Sequence, residues 1–354
     1  MKNRIDKLRQ TFDLLGVDGI YLTSRTSHRY FTKFDNEDAS LLITKKNAYA
    51  FEDFRYIETA NDLLSGTYTV VEPKGKRRDW LDSILKSEGV SRLGFEDEFL
   101  SVSAYKTLKN DVSSELVGIG NTVTVMRQVK DMWEIEQISK AQEITDKAFS
   151  HILTVISTNI TENDVAAELE YFMRKNGAED KSFETISING KKTSLPHGVP
   201  SNNRLENGFL TMDFGAVVNG YHSDMTRTVC IGKADSEMKK LYQTVLNAQL
   251  ASLEYLGQGG KNSKEADKIA RDIIYKDYEG YFGHSLGHSV GLVIHERPAL
   301  SPVNESILVE GNVVTVEPGI YIPGKYGTRI EDLVVIQKNG IINLTKSPKE
   351  LIEI

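Results

Sequence analysis

Five residues of the types that bind metal ions lie between positions 213 and 331 of the chain. They are Asp213, Asp224, His288, Glu317 and Glu331. Four carboxylates and one imidazole suit two hard or borderline divalent cations. Two such cations a few ångströms apart can hold a hydroxide between them and stabilise the transition state of a hydrolytic reaction. This set of residues therefore indicates a two-metal hydrolase.

The first two acidic residues are predicted to lie on the two arms of a β-hairpin. Segments 209–214 and 221–229 have the composition of strands. Between them, Asn219-Gly220 is a strong signal for a two-residue hairpin turn. The sequence therefore predicts an antiparallel pair whose register is set by this turn.

In that register Asp213 lies opposite Thr226, and Asp224, two residues from Thr226, points to the same side of the sheet. The two carboxylates become diagonal neighbours about 7–8 Å apart at the backbone. Side chains of this length can converge on metals roughly 3.5–4 Å apart. An unpaired Asp213 charge in the middle of an apolar strand would be costly, which favours a ligand over an ordinary carboxylate.

The last two acidic residues belong to a second predicted pair of strands. Residues 313–317 form a strand that Pro318-Gly319 should end, and residues 328–336 form its return partner. Arg329 and Glu331 are two apart and share a face of that strand. An arginine beside a ligand carboxylate would orient the carboxylate and keep it ionised.

Four of the seven histidines lie in contexts that suggest a function. His284 and His288 are four apart among glycines, which argue against a helix, and as a strand their even spacing puts both on one face. His295 begins His-Glu-Arg-Pro, which lacks the second histidine of the zincin pattern. His197 follows Ser-Leu-Pro in a loop. The other three, His28, His151 and His222, read as core or surface residues, although His222 shares the face of Asp224.

The elements that position these residues indicate two domains. Residues 1–122 alternate helix and strand signals and form an α/β domain without clustered ligand residues, and residues 123–130 form a linker. Residues 131–354 are predicted to form a pair of helices followed by strands, and then a second pair of helices followed by strands. Each group of strands carries some of the residues that could bind metal. This order is typical of an α+β fold with an internal two-fold duplication and a site between the halves.

Composition excludes several classes of protein. The chain has 354 residues, 40% hydrophobic and 26% charged residues and a net charge of −7, which gives no support to nucleic-acid binding. Its N-terminus lacks the apolar core of a signal peptide, and no apolar run is long enough to span a membrane. The single cysteine, Cys230, lies among apolar residues and cannot form an internal disulfide. We therefore expect a cytoplasmic protein with no membrane partner.

The sequence motifs around the candidate metal-binding residues resemble those of the pita-bread metallopeptidases, the family of aminopeptidase P, prolidase and methionine aminopeptidase. The resemblance runs from Ser-Phe-Glu-Thr-Ile at 182–186 through Leu-Pro-His-Gly at 195–198 to Arg-Ile-Glu-Asp-Leu at 329–333. The segments 41–44 and 51–56 are similar to a creatinase-type N-terminal domain, which methionine aminopeptidase lacks. The resemblance implies a smaller N-terminal creatinase-like α/β domain and a C-terminal pita-bread fold made of duplicated helix pairs and antiparallel strands. Two departures, Ser289 and Lys191-Lys192-Thr193, lie outside the ligand set.

The resemblance also implies a role for each matching position. Asp213 would bind one metal, His288 would bind the other with Glu317, and Asp224 and Glu331 would bridge the two. Glu317 would also serve as general base. Three histidines would line the substrate site and move protons, and an arginine would support Glu331. These four residues are His197, His284, His295 and Arg329.

By this resemblance we expect a proline-specific metallo-exopeptidase in which a hydroxide bridging two metals attacks the bond between an N-terminal residue and proline. The metals are expected to be manganese, with cobalt or zinc as alternatives, and the protein a homodimer acting on small peptides with proline in second position. Segment 51–56 and the chain length favour an Xaa-Pro aminopeptidase, with an Xaa-Pro dipeptidase (prolidase) as the alternative. A non-catalytic pita-bread binding module or a creatinase-type hydrolase is a weaker alternative, because such proteins lack ligands that this chain has.

Overall fold

The first third of the chain forms an α/β domain on one six-stranded sheet, as predicted. The computed structural model describes residues 1–354, and this N-terminal unit is Met1–Met126. Its strands are β1 (Gly19–Leu22), β2 (Ser40–Thr44), β3 (Ala48–Phe51), β4 (Thr69–Val71), β5 (Arg92–Phe95) and β6 (Glu115–Gly118). Its helices are α1 (Lys2–Arg9), α2 (Phe12–Leu15), α3 (Arg25–Thr32), α4 (Ile57–Leu64), α5 (Arg77–Glu88) and α6 (Val102–Asp111).

The sheet of this unit has the order β4-β3-β2-β1-β5-β6. The three strands β1, β2 and β3 are antiparallel neighbours, and the outer strands join them in parallel pairs. The central strand β1 is buried along its whole length. Helix α7 (Thr122–Gln128) follows and crosses the boundary between the two units. It therefore occupies most of the segment 123–130 that the sequence suggested as a linker.

The second unit, Arg127–Ile354, repeats one arrangement of helices and strands. Its first half contains α8 (Met132–Ile152), α9 (Glu162–Lys175), β7 (Asp180–Lys181), β8 (Ile186–Asn189), β9 (Gly208–Phe214), β10 (Ala216–Val218), β11 (Tyr221–His222) and β12 (Met225–Ile231). Its second half contains α10 (Ser236–Gly257), α11 (Ser263–Tyr278), β13 (Gly287–Ser289), β14 (Glu296–Leu300), β15 (Val313–Val316), β16 (Gly319–Ile322), β17 (Tyr326–Arg329), β18 (Asp332–Gln337) and β19 (Gly340–Asn343). None of the helices combines the length and the apolar character that a membrane crossing requires.

Side-chain oxygens define where the four helices of this unit begin. Asp131 and Thr161 each form a capping box with the residue three positions later, and Asp235 and Asn262 cap α10 and α11. The pair α8 and α9 shares an apolar cluster with β9 and β12, whereas α10 and α11 share another with β15 and β18. Each helix pair therefore packs against strands of its own half, as a duplication predicts, and Phe209 and Cys230 of the first half also join the second cluster.

The first acidic hairpin has the predicted register without a shift. Asn219 and Gly220 both have positive φ, 49° and 78°, as the predicted turn requires. Val218 pairs with Tyr221 next to the turn, and Asp213 pairs with Thr226 further along. The hydrogen-bonded ladder is interrupted between these two pairs.

Asp224 lies at this interruption. Opposite it is Gly215, where an added Cβ would lie 2.0 Å from the carbonyl oxygen of Ser223. Only a residue without a side chain fits this close approach. The break therefore leaves Asp224 outside the ladder, where its carboxylate can turn towards the site.

The second hairpin corrects one sequence prediction. β15 ends at Val316, just before Pro318-Gly319 as predicted, but pairing resumes in the same register between β16 and β17, which form a separate two-stranded sheet. The predicted continuous strand 328–336 is instead broken at Ile330 and Glu331, opposite Glu317. The physical reason lies far away in sequence: the Glu331 N–H donates to the carbonyl of Thr226 in the first hairpin, at 3.1 Å. Each hairpin is thus interrupted at the position of a carboxylate that could bind metal.

Candidate metal centre

The two interrupted hairpins bring the predicted residues together around one cavity. The cavity has a volume of about 780 Å³, within the usual range for small-ligand sites. All nine residues singled out from the sequence line it: Asp213, Asp224, His288, Glu317, Glu331, His197, His284, His295 and Arg329. Side chains from both halves of the duplicated unit therefore form a single site.

His288 lies at the centre of the acidic group. Its Nε2 is 3.4 Å from Asp224 Oδ2 and 3.4 Å from Glu317 Oε1. Ligand atoms of Asp224, His288 and Glu331 all lie within 4.8 Å of one another. Because His288 Nδ1 faces the carbonyl oxygen of Ser289 at 3.2 Å, the ring proton belongs on Nδ1 and Nε2 has a free lone pair.

Burial and mutual repulsion act together on the carboxylates. Desolvation, followed by the charges of neighbouring carboxylates, raises the pKa of Asp224 and of Glu331 well above the usual range. Burial likewise raises the pKa of Glu317 to about 7. Desolvation lowers the pKa of His288. The raised pKa values indicate that the three carboxylates disfavour being ionised together unless additional positive charge lies nearby.

A second observation indicates that these side chains are suited to bind divalent cations. Asp213 Oδ2 accepts a hydrogen bond from Arg329 at 2.6 Å, but its Oδ1 is buried and has no hydrogen-bond partner. A buried carboxylate oxygen without a partner is rare, because leaving it unsatisfied is costly. A cation would satisfy this oxygen and neutralise the surrounding charges. The oxygen-rich ligands with one imidazole suit Mn²⁺, Co²⁺ or Zn²⁺.

Arg329 is connected to more than one acidic side chain of the site. We expected it to support Glu331, but its Nη2 binds Asp213 directly. It reaches Glu331 through Thr226, whose hydroxyl accepts from Arg329 Nε at 2.9 Å and donates to Glu331 Oε2 at 2.7 Å. Thr226 is fully buried and was not singled out from the sequence. Its position opposite Asp213 in the predicted register was the signal that could have identified it.

A second residue missed from the sequence connects Arg329 to His284. The Tyr321 hydroxyl accepts from Arg329 Nη1 at 2.8 Å and lies 2.9 Å from His284 Nε2. Since His284 Nδ1 faces the carbonyl oxygen of Ser285 at 2.8 Å and so carries the proton, Tyr321 donates to Nε2. Burial, with the charge of Arg329, lowers the pKa of His284 to about 4. His284 is therefore a neutral ring with both nitrogens occupied.

The other two histidines face the cavity from separate loops. His295 lies between β13 and β14, with its ring 4.4 Å from that of His288 in an edge-to-face arrangement. Desolvation lowers the pKa of His295, which favours its neutral form near pH 7. His197 lies in the connection between β8 and β9. His222 does not line the cavity, and its Nδ1 is 2.8 Å from the Ser182 hydroxyl.

Sequence profiles identify both units. Residues 136–338 match metallopeptidase family M24, and residues 4–129 match the creatinase/prolidase N-terminal domain. The chain belongs to metallopeptidase family M24. It is thus a peptidase of the hydrolase class, and the fold of this M24 peptidase is the predicted creatinase-like domain followed by a pita-bread domain.

Solved structures and curated relatives resemble this M24 peptidase over its full length. A structure of Xaa-Pro dipeptidase from Bacillus anthracis has 42% identity and a TM-score of 0.95, and covers 100% of this chain and 99% of its own. An X-Pro aminopeptidase structure from Thermotoga maritima has 37% identity and a TM-score of 0.92, with 98% and 100% covered. The Xaa-Pro dipeptidase of Pyrococcus furiosus is 38% identical, with 99% of this chain and 100% of the relative covered.

Proposed function

We propose that this M24 peptidase is a proline-specific exopeptidase that hydrolyses the bond between an N-terminal residue and proline, with Xaa-Pro dipeptides as its main substrates. The observation that carries the proposal is the cavity that four carboxylates and His288 line together, with His197, His295 and Arg329 on the same walls. Relatives of both kinds cover the chain, and the two named dipeptidases favour the dipeptide.

The metal ligands proposed are Asp213, Asp224, His288, Glu317 and Glu331. Two divalent cations held there would polarise the scissile carbonyl and acidify the attacking water. The oxygen-rich set supports Mn²⁺, with Co²⁺ and Zn²⁺ to be compared by reconstitution. Removal of metal by a chelator should abolish turnover, and restoration by each ion in turn should rank them.

The remaining catalytic roles would belong to side chains of the cavity. Glu317, in the cavity wall, is proposed as the base that takes the proton of the attacking water. His197 and His295 face the cavity and are proposed to hydrogen-bond the substrate and to return the proton to the leaving nitrogen. His284 differs from this expectation, because both of its ring nitrogens are occupied. We propose that it orients Tyr321 and, through it, Arg329.

The sequence favoured Xaa-Pro-Yaa peptides, and this second activity retains one specific support. A protein of similar structure from Thermotoga maritima is an X-Pro aminopeptidase, and it covers 98% of this chain. The two activities differ in whether a free proline carboxylate is required. A dipeptidase must recognise that group, whereas an aminopeptidase must leave room beyond the proline.

The experiment compares matched peptides on the manganese-loaded enzyme. Leu-Pro, Leu-Pro-Gly and Leu-Ala are incubated separately, and the released amino acids are quantified by chromatography. We expect rapid hydrolysis of Leu-Pro, slower hydrolysis of Leu-Pro-Gly and little hydrolysis of Leu-Ala. Tripeptide turnover equal to or above that of the dipeptide would favour the aminopeptidase. Equal rates for Leu-Ala and Leu-Pro would refute proline specificity.

A further inference from the structure

The loop that carries His197 is closed at its base by one buried carboxylate. This loop, residues 190–200, lies between Asn189 at the end of β8 and Ser201. Glu162, the first residue of α9, accepts hydrogen bonds from both ends: Oε1 from the Asn189 N–H at 2.7 Å, and Oε2 from the Ser201 N–H at 3.0 Å. A single side chain thus bridges the two points where the loop begins and ends.

Two further donors complete the environment of Glu162. The Ser201 hydroxyl donates to Oε2 at 2.7 Å, and the Lys192 ammonium, from within the loop, lies 2.6 Å from the same oxygen. Glu162 is only 2% exposed, so its charge depends on these partners. Hydrogen bonds to an ionised acceptor are stronger than hydrogen bonds between neutral groups.

The rest of the loop is attached to the second hairpin. The Pro196 carbonyl accepts from Arg329 Nη1 at 3.3 Å, and the Thr193 hydroxyl accepts from the Gly327 N–H at 2.9 Å. His197 lies inside a tight turn that the Gly198 N–H closes on the Leu195 carbonyl at 3.1 Å. No side-chain hydrogen bond within the protein holds the His197 ring. The loop backbone therefore determines where this ring stands.

We infer that Glu162 is a positioning residue, which sets the place of His197 over the metal centre by holding the two ends of its loop together. The inference rests on the proposed function, because that function assigns His197 to the substrate. Glu162 does not line the cavity, so its influence must pass through the loop. Misplacement of a substrate-contacting group by about 1 Å can reduce the rate roughly 100-fold.

The first test is Glu162→Gln on the manganese-loaded enzyme, assayed on Leu-Pro. The amide has one accepting oxygen, so it cannot serve both ends of the loop and the Lys192 ammonium. We expect kcat to fall about 10- to 100-fold, with the metal content by elemental analysis unchanged. Glu168→Gln is the matched control, since this carboxylate on the same helix pairs only with His151 at a partly exposed site. It should retain wild-type kinetics.

A double-mutant cycle separates positioning from a general loss of structure. In a His197→Ala background, Glu162→Gln should change kcat less than about twofold, because the group that it positions is gone. An equal loss with and without His197 would overturn the inference. If Glu162→Gln does not fold, Glu162→Asp takes its place in the cycle. It keeps the charge but is one methylene too short to bridge both ends, and the absence of any loss dependent on His197 would again overturn the inference.

The outcomes also distinguish this inference from the proposed function. If His197→Ala alone retained wild-type turnover of Leu-Pro, the substrate role of His197 would be wrong whatever Glu162 does. If His197→Ala were impaired while Glu162→Gln and Glu162→Asp were both fully active, the proposed function would stand and the positioning role of Glu162 would fall.

Discussion

Replacement of Thr226 by valine tests whether the two hairpins support one another at the metal centre. The Thr226 hydroxyl donates to Glu331 Oε2 and accepts from Arg329 Nε, and the side chain is fully buried. Valine keeps the branched shape and replaces the hydroxyl with a methyl group. Both hydrogen bonds are therefore lost with little change in packing volume.

The size of the effect follows from the charges of the two partners. A hydrogen bond to a charged group contributes about 1.5–3 kcal/mol. Loss of the bond to Glu331 leaves a buried carboxylate without its donor and free to rotate away from the metal. If that contribution is made in the metal-bound state, the dissociation constant rises roughly 10- to 100-fold. This range matches the usual cost of removing a residue that orients a metal ligand.

The assay is a competition titration of Mn²⁺ between the protein and a fluorescent chelator, followed by kinetics at saturating metal. Thr226→Ser is the control, because it keeps the hydroxyl and removes only the methyl group. We expect near wild-type affinity for the serine variant and weaker binding for the valine variant. Valine binding as tight as serine would refute the argument that this hydroxyl orients Glu331.

Four further substitutions address the ligand assignment. Asp224→Asn should lose at least one metal and nearly all activity, because one negative charge is removed from a site that needs it; a full metal complement with wild-type activity would contradict the dinuclear site. His284→Ala and His295→Ala should retain their metal but lose turnover, since neither is placed among the ligands. His288→Ala should lose metal as well, and equal metal contents in the three histidine variants, measured by elemental analysis, would refute this division.

Local signals explain why the first hairpin could be predicted from the sequence. Its register depends on Asn219-Gly220, two residues that favour positive φ, and the pairing of Asp213 with Thr226 follows by counting along the strands. The N-terminal ends of helices α9 and α11 likewise depend on capping side chains close in sequence, those of Thr161 and Asn262. The resemblance to a family supplied the roles that the spacing alone left open.

Contacts between distant parts of the chain explain what could not be predicted. The break at Glu331 depends on the carbonyl of Thr226, more than 100 positions earlier. The Arg329 contact with Asp213 needs both hairpins in place, and the link through Tyr321 needs the segment before β13 that carries His284. The helix over 122–128 covers a segment without a clear apolar pattern, where the sequence suggested a linker.

The division of the ligands between two hairpins has a consequence for how the protein is made. Asp213 and Asp224 leave the ribosome roughly 5–20 s before Glu331, at translation rates of about 5–20 residues per second. At the start of that interval the nascent chain holds this pair of carboxylates, and His288 and Glu317 follow before Glu331 completes the set. Two carboxylates offer fewer ligands than the full set of five, so the proposed metal site is complete only after the last strands have docked.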